Sequence, residues 1–144
     1  MFFDLFRRKK NKDIEDVVLS EADEKWNRMW DLWADGDIES PYNELMTYQS
    51  EVNNGGHHQY FFNTENNGDI RKDIEILCAI LPDVLKDNIQ TAFKAYIELE
   101  QDKNIDTNEE ILEKCDDVFW ENEEMINSIL ESYCKKIEIW EKKK

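Results

Sequence analysis

The sequence predicts an all-α protein that folds as a single compact bundle of about six helices, with no strand supported by its pattern. Three observations lead to this prediction. Apolar residues recur at steps of three and four along most of the chain, the spacing of a helix with one buried face. The 144 residues include only four Gly and two Pro, and these fall where the apolar stripes stop. Five Trp, five Tyr and seven Phe are enough to bury one core, and the chain has no room for a second.

Typical start and stop residues bound the first two helices. An apolar stripe predicts the first helix, and it consists of Val18, Ala22, Trp26, Met29, Trp30 and Trp33. The helix begins either after Ser20 as its N-cap or earlier, near Asp13. Gly36 suits the left-handed position after a helix end. Ser40-Pro41 predicts an N-cap followed by the first helical residue, and this second helix runs to a strong stop at 53–56, Asn-Asn-Gly-Gly.

The middle of the chain predicts three more helices. Residues 57–63 are rich in aromatic side chains, and we expect a helix there because no partner strand is evident. Residues 63–68 predict a loop. Asp69 predicts the cap of the next helix, and Pro82 ends that helix or starts the following one, which stops before a polar turn at 102–106.

The last third of the chain predicts a long helical stretch. Thr107 and Glu110 have the spacing of a capping box. No Gly or Pro follows, and apolar residues recur every seven positions at Leu112, Phe119, Ile126, Tyr133 and Trp140. The pattern fits one long helix or two with a break near Asp116 and Asp117, and it leaves both possibilities open.

Charge divides the chain into a tail and one acidic domain. Residues 1–12 hold five basic residues and one acidic residue, and the last three residues are Lys, which leaves 33 of the 34 acidic and 10 of the 18 basic residues to 13–141. We therefore expect a basic and apolar N-terminal tail at 1–12 and a single all-helical acidic domain at 13–144. The tail lacks the order of a secretory signal. It could touch an anionic membrane surface, dock on the domain or stay mobile.

Common catalytic and metal-binding motifs are missing from the sequence. His57 and His58 are the only histidines, and on a helix they would point about 100° apart, which makes a shared metal ion difficult. No zinc, calcium, phosphate-loop or nucleophile motif is present. We therefore expect no metal, no cofactor and no enzymatic activity. Cys78, Cys115 and Cys134 have no C-x-x-C spacing, and we expect reduced thiols in the cytoplasm.

Acidic residues are the most informative feature of the chain. The name acidic segment is used below for Asp102, Asp106, Glu109, Glu110, Glu113, Asp116, Asp117, Glu121, Glu123 and Glu124. A second group, the early acidic patch, consists of Asp31, Asp35, Asp37 and Glu39. On a helix, carboxylates four residues apart rise by about 6 Å, and two rows side by side approach the charge density of duplex DNA. One such face would hold Glu110, Glu113, Asp117, Glu121 and Glu124. A solvated face without a partner is the alternative interpretation.

Nine residues around the paired glycines resemble the signature of the DNA mimic protein family. They are Glu51, Val52, Asn53, Asn54, Gly55, Gly56, Gln59, Tyr60 and Phe61. The acidic and aromatic stretch from Asp116 to Glu124 is similar to a late part of the same family. The resemblance implies an all-helical, acidic and dimeric cytoplasmic protein. It also implies a surface that imitates duplex DNA and occupies the DNA-binding face of a helix-turn-helix transcription factor.

The segment with the paired glycines has two interpretations. In the structural one, Asn53 and Asn54 satisfy carbonyl groups at a helix end, the glycines allow the chain to reverse, and the following aromatic residues anchor the turn in the core. In the other, Glu51, Asn54 and Gln59 form a pocket for a ligand. We favour the structural interpretation.

Three functions are therefore considered. The first is a DNA mimic that binds a basic DNA-binding protein through the acidic segment and the early acidic patch. The second is an immunity-type inhibitor of a basic toxin nuclease. The third is a small-ligand binder or an enzyme that uses the region of Glu51, Asn54 and Gln59. A formal net charge of −16 argues against direct binding to nucleic acid, because that affinity comes mostly from Lys and Arg.

Overall fold

The structure is a computed structural model that describes residues 20–137, and these residues form six helices joined by short turns. We number them α1 (Glu21–Ala34), α2 (Tyr42–Asn67), α3 (Ile70–Ile80), α4 (Asp83–Glu100), α5 (Ile105–Glu121) and α6 (Glu123–Lys136). The described residues contain no strand, which confirms the all-α class. The tail at 1–12, the possible helix start near Asp13 and the last heptad residue Trp140 lie outside the described residues.

Local capping interactions bound α1 and α3. The backbone N–H of Asp23 donates to Ser20 Oγ at 3.1 Å, and the backbone N–H of Lys72 donates to Asp69 Oδ1 at 3.2 Å. Each side chain satisfies one of the open donors at a helix start. Gly36 has a φ of +81° just after α1, in the left-handed region that favours glycine. These three predictions are confirmed.

The second helix differs from the prediction at its start, its middle and its end. It begins after Pro41, which is the N-cap and not the first helical residue. Gly55 and Gly56 leave helical geometry, with φ/ψ of −156°/18° and 80°/−179°, so the predicted stop is a kink between two helical halves. The loop predicted at 63–68 is wrong, because the helix continues to Asn67.

Two hydrogen bonds support the additional helical turns at the end of α2. Asn67 Nδ2 donates to the backbone carbonyl of Asn63 at 2.8 Å. The hydroxyl of Tyr96, on α4, donates to Glu65 Oε1 at 2.8 Å. The second contact joins residues 31 positions apart, so a local sequence pattern carries no sign of it.

The last helical stretch consists of two helices, and the break lies at Asn122 instead of near Asp116 and Asp117. Asn122 Nδ2 donates to the backbone carbonyl of Val118 at 2.8 Å. The same carbonyl accepts the backbone N–H of Asn122 at 3.2 Å, so backbone and side chain of Asn122 both bind the last turn of α5. A side chain of the break itself thus stabilises the end of α5.

The start of α5 also differs from the prediction. The capping box expected at Thr107 is wrong, because α5 already begins at Ile105, after Asn104 with a φ of +45°. Asn108 takes over the polar connection there. Its Nδ2 donates to the backbone carbonyl of Lys103 at 2.9 Å and ties the first turn of α5 to the preceding turn.

The core forms around α2, which contacts α3, α4, α5 and α6, while α1 packs against α6. Tyr48, Tyr60 and Phe61 of α2 are almost completely buried. Phe119 of α5 meets Tyr48 edge to face, with ring centroids 5.4 Å apart. All three cysteines are free. None of the described helices combines the length and the apolar character that crossing a membrane requires.

The buried tyrosines predict that the fold loses stability in alkaline solution. Burial raises the pKa of Tyr48 well above its ordinary value, and burial together with Asp73 raises the pKa of Tyr60. In the unfolded chain these phenols ionise near their ordinary pKa of about 10, whereas in the folded chain they keep their protons. Their stabilising contribution is therefore complete below about pH 10 and is lost as the pH rises further.

Urea unfolding measured between about pH 8 and about pH 11 tests this expectation, since that range brackets the ordinary tyrosine pKa. The free energy of unfolding should fall most steeply at the alkaline end, and most of the tyrosinate absorbance should appear together with unfolding. A variant with Tyr48→Phe and Tyr60→Phe should show a shallower alkaline slope. A free energy of unfolding that stays level throughout the range would contradict the prediction.

Candidate functional site

The kink of α2 brings a histidine into the core and connects it to α5. The His57 side chain is fully buried. Its backbone N–H donates to Asp116 Oδ1 at 2.8 Å, and its Nδ1 lies 2.7 Å from the same oxygen. Its Nε2 lies 2.7 Å from the hydroxyl of Tyr48. A continuous hydrogen-bonded chain therefore runs from Tyr48 through His57 to Asp116.

The chemistry of the three groups assigns the protons in this chain. An ionised carboxylate only accepts hydrogen bonds, so Nδ1 of His57 carries the hydrogen that faces Asp116. In the neutral ring Nε2 is then the acceptor, and the hydroxyl of Tyr48 donates to it. Burial raises the pKa of Tyr48, which keeps the phenol protonated and able to donate. The core thus contains a fully satisfied polar connection between α2 and α5.

Gly56 allows the carboxylate of Asp116 to approach the kink. Its φ of +80° lies in the left-handed region, which disfavours every residue with a Cβ. A Cβ at this position would also stand 2.5 Å from Asp116 Oδ2. Both the backbone conformation and the close approach of α5 therefore require glycine. At Gly55 a Cβ would meet the side chain of Gln59.

A second polar network joins the first half of α2 to the break between α5 and α6. Asn53 Nδ2 donates to Glu123 Oε2 at 2.6 Å, and Gln49 Nε2 donates to the same oxygen at 2.9 Å. Gln49 Nε2 also donates to Asn127 Oδ1 at 2.8 Å. The indole N–H of Trp120 donates to Asn53 Oδ1 at 2.9 Å. Asn53 therefore holds both sides of the α5–α6 break.

The structure corrects the role expected for the two asparagines. Asn53 bonds side chains of α5 and α6 instead of helix-end carbonyl groups. Asn54 is exposed. Glu51 Oε1 accepts from Gln59 Nε2 at 2.8 Å and from Asn63 Nδ2 at 3.0 Å. Two of the three side chains proposed as a ligand pocket thus bind each other across the kink.

The predicted acidic residues divide into two groups in the structure. Asp116 and Glu123 are half-buried and serve the two networks just described. The other members of the acidic segment are exposed, namely Asp102, Asp106, Glu109, Glu110, Glu113, Asp117, Glu121 and Glu124. The early acidic patch is exposed as well, at the end of α1 and in the turn that follows it: Asp31, Asp35, Asp37 and Glu39.

The exposed acids of α5 occupy one side of that helix. At 100° per residue they fall within an arc of about 120°, from Glu109 to Glu121. A groove of about 590 Å³ runs beside this arc, with Leu99, Ile105 and Leu112 among its apolar lining residues. Its polar lining consists of His58, Asp102, Glu109, Glu113 and Asp116. In the part of the chain that the structure describes, no group of three His, Cys, Asp or Glu residues is placed to hold a metal ion.

Sequence reasoning missed Tyr48 and His57 as the centre of the kink. Neither belongs to a recognisable motif, and the partner of His57 lies 59 positions away. One signal was present, because His57 stands between a pair of glycines and a pair of buried aromatic residues. A buried histidine in such a segment needs partners for both ring nitrogens.

Comparison with known proteins gives a family match over most of the described residues. A family model described as DMP19-like protein matches residues 37–137. The matched range contains α2 to α6, and hence both polar networks and the whole acidic segment. No curated protein and no solved structure matches the chain.

The two glycines with positive φ provide a matched test of the close approach at Gly56. Gly36→Ala adds only the cost of a left-handed residue, roughly 1–2 kcal/mol, since nothing lies within 4 Å of its Cβ. Gly56→Ala adds the same cost and also displaces Asp116 from His57. We expect it to lower the free energy of unfolding by about 3 kcal/mol or more. Equal losses in urea unfolding would show that the approach of Asp116 contributes nothing.

Neighbouring aspartates give a second matched pair. Asp116→Ala leaves the backbone N–H and Nδ1–H of the buried His57 without their acceptor, and we expect a loss of about 2–4 kcal/mol in the free energy of unfolding. Asp117→Ala removes an exposed carboxylate and should change the free energy of unfolding by less than about 0.5 kcal/mol. Asp116→Asn keeps an acceptor oxygen, so its loss in the free energy of unfolding should lie between the losses of the two alanine variants. The assignment fails if the two alanine variants are equally stable.

Proposed function

Because the chain belongs to the DMP19-like family, we propose that it is a DNA mimic that occupies the DNA-binding surface of a basic protein. The partner class that we infer is a DNA-binding regulator such as a helix-turn-helix transcription factor. In this proposal the chain acts by binding and carries out no catalysis. The acidic segment supplies the carboxylates that stand in for phosphates.

The observation that carries this proposal is a row of exposed carboxylates with almost no neighbouring cations. Eight members of the acidic segment are exposed, and only Lys103 and Lys114 accompany them in the sequence from 102 to 124. Lys114 lies 3.7 Å from Glu110, and both side chains are largely exposed. Such a pair contributes little and is screened by solvent. Most of the negative potential on α5 is therefore available to a partner.

The arrangement of the acids on α5 also supports the proposal. The arc of about 120° holds two adjoining rows, so that carboxylates rise along the helix at intervals of about 6 Å with a second row beside them. Like charges three or four residues apart repel one another by a few tenths of a kcal/mol each. The helix keeps this array because its opposite side is anchored to α2 and α4, through Phe119, Cys115 and Leu112.

Two variants of equal charge test whether the array or the net charge is recognised. In the array variant, four acids of the arc are neutralised: E109Q, E113Q, D117N and E121Q. In the control variant, four exposed acids on other helices are neutralised: E24Q, E75Q, D87N and E131Q. A binding protein is first captured from the native cell at low salt on the unmodified chain and then purified. The affinity of this captured protein is then measured for each variant and for the DNA that the captured protein binds.

We expect the chain to displace DNA from the captured protein and to bind it less tightly as salt rises. The array variant should bind about tenfold more weakly or worse, since each exposed pair contributes roughly 0.2–1 kcal/mol. The control variant should lose much less. Equal losses of affinity in the two variants, or an affinity that does not change with salt concentration, would refute mimicry by an ordered array.

A further inference from the structure

An exposed tryptophan on the acidic side of α5 is held in a fixed orientation. Trp120 is 47% exposed, although large apolar side chains are usually buried. Its indole N–H donates to Asn53 Oδ1 at 2.9 Å, which ties the ring to α2. At 100° per residue the ring falls inside the arc of exposed acids, one turn beyond Asp117. An oriented aromatic side chain within a charged surface is typical of a binding anchor.

The network below Trp120 contains acceptors in excess of donors. Glu123 Oε2 accepts from the neutral amides of Asn53 and Gln49, and the described residues place no cation against this half-buried carboxylate. Gln49 is 5% exposed, yet its Oε1 accepts no hydrogen bond within the described part of the chain. The amide oxygen of Gln49 is buried, so the half-buried carboxylate of Glu123 is the acceptor of this network that lies nearer the surface.

We propose that Trp120 and the half-buried carboxylate of Glu123 form a site for an arginine side chain of the partner protein. This inference rests on the proposed function and names the partner group that the surface recognises. A guanidinium has a flat cationic face that stacks on an aromatic ring, and its five N–H donors fit carboxylate and amide oxygens. It supplies in one group the cation and the donors that this site lacks.

Lysine fits the same site less well. Its ammonium is a compact and strongly hydrated charge without a flat face, and it gives up more hydration on approaching a ring. Both cations would be attracted by the exposed carboxylates nearby, such as Asp117 and Glu121. The difference between arginine and lysine therefore isolates the tryptophan from the general attraction of an acidic surface.

Two short peptides of equal length and charge, one of arginine and one of lysine, are suitable probes for the full chain. Their binding is measured by calorimetry at low salt. We expect Trp120→Ala to weaken binding of the arginine peptide about twofold to fivefold, the range of an exposed cation–π contact, and to leave the lysine peptide nearly unchanged. Trp120→Phe keeps a ring, so its affinity for the arginine peptide should lie between that of Trp120→Ala and that of the unmodified chain.

Phe62→Ala serves as the matched control, since Phe62 is an aromatic side chain of similar exposure, 52%, on α2. It should bind both peptides like the unmodified chain. The arginine site is refuted if Trp120→Ala binds both peptides as Phe62→Ala does, or if it lowers the affinity for both peptides equally. Either result would leave the proposed role of the acidic surface in place. If the unmodified chain binds neither peptide at low salt, the site and the proposed function both fail.

Discussion

The contact between Asp116 and the kink of α2 is the constraint on which the other features depend. One carboxylate oxygen accepts from both the backbone and the ring of His57, at 2.8 and 2.7 Å. Gly56 makes room for that carboxylate, and Tyr48 satisfies the far side of the ring. Since every polar group is paired, the buried histidine costs little, and removing any member leaves another unsatisfied. The contact fixes both the rotation and the height of α5 against α2.

That rotation decides which acids face solvent. With Asp116 directed at the kink, the acids within the arc of about 120° on α5 point outward and lie beside the groove. Glu123 turns inward at the next break, where Asn53 and Gln49 hold it. Asn53 and Gln49 are uncharged, yet their bonds orient the charged surface. This coupling links the kink of α2 to the acidic array on α5.

Trp120 connects the network of Asn53, Gln49 and Glu123 to that surface. Its indole N–H donates to Asn53, so the side chain that holds Glu123 also orients the exposed ring. Rigid anchors lose little conformational entropy on binding, which makes an oriented tryptophan more effective than a freely rotating one. In our proposal the carboxylates attract a basic partner, and the ring selects among its cations. The carboxylates that attract the partner and the ring that selects among its cations would then lie on adjacent turns of α5.

The sequence by itself determined the helical class, the caps at Ser20 and Asp69 and the left-handed Gly36, because each depends on atoms within a few residues. It also located the acids, since charge is a property of composition. Only the tertiary structure decided that Asp116 and Glu123 leave the surface, that the paired glycines form a kink, and that the last helices break at Asn122. The bonds that hold Asp116 and Glu123 join residues 59 to 74 positions apart, and no local pattern carries information over that separation.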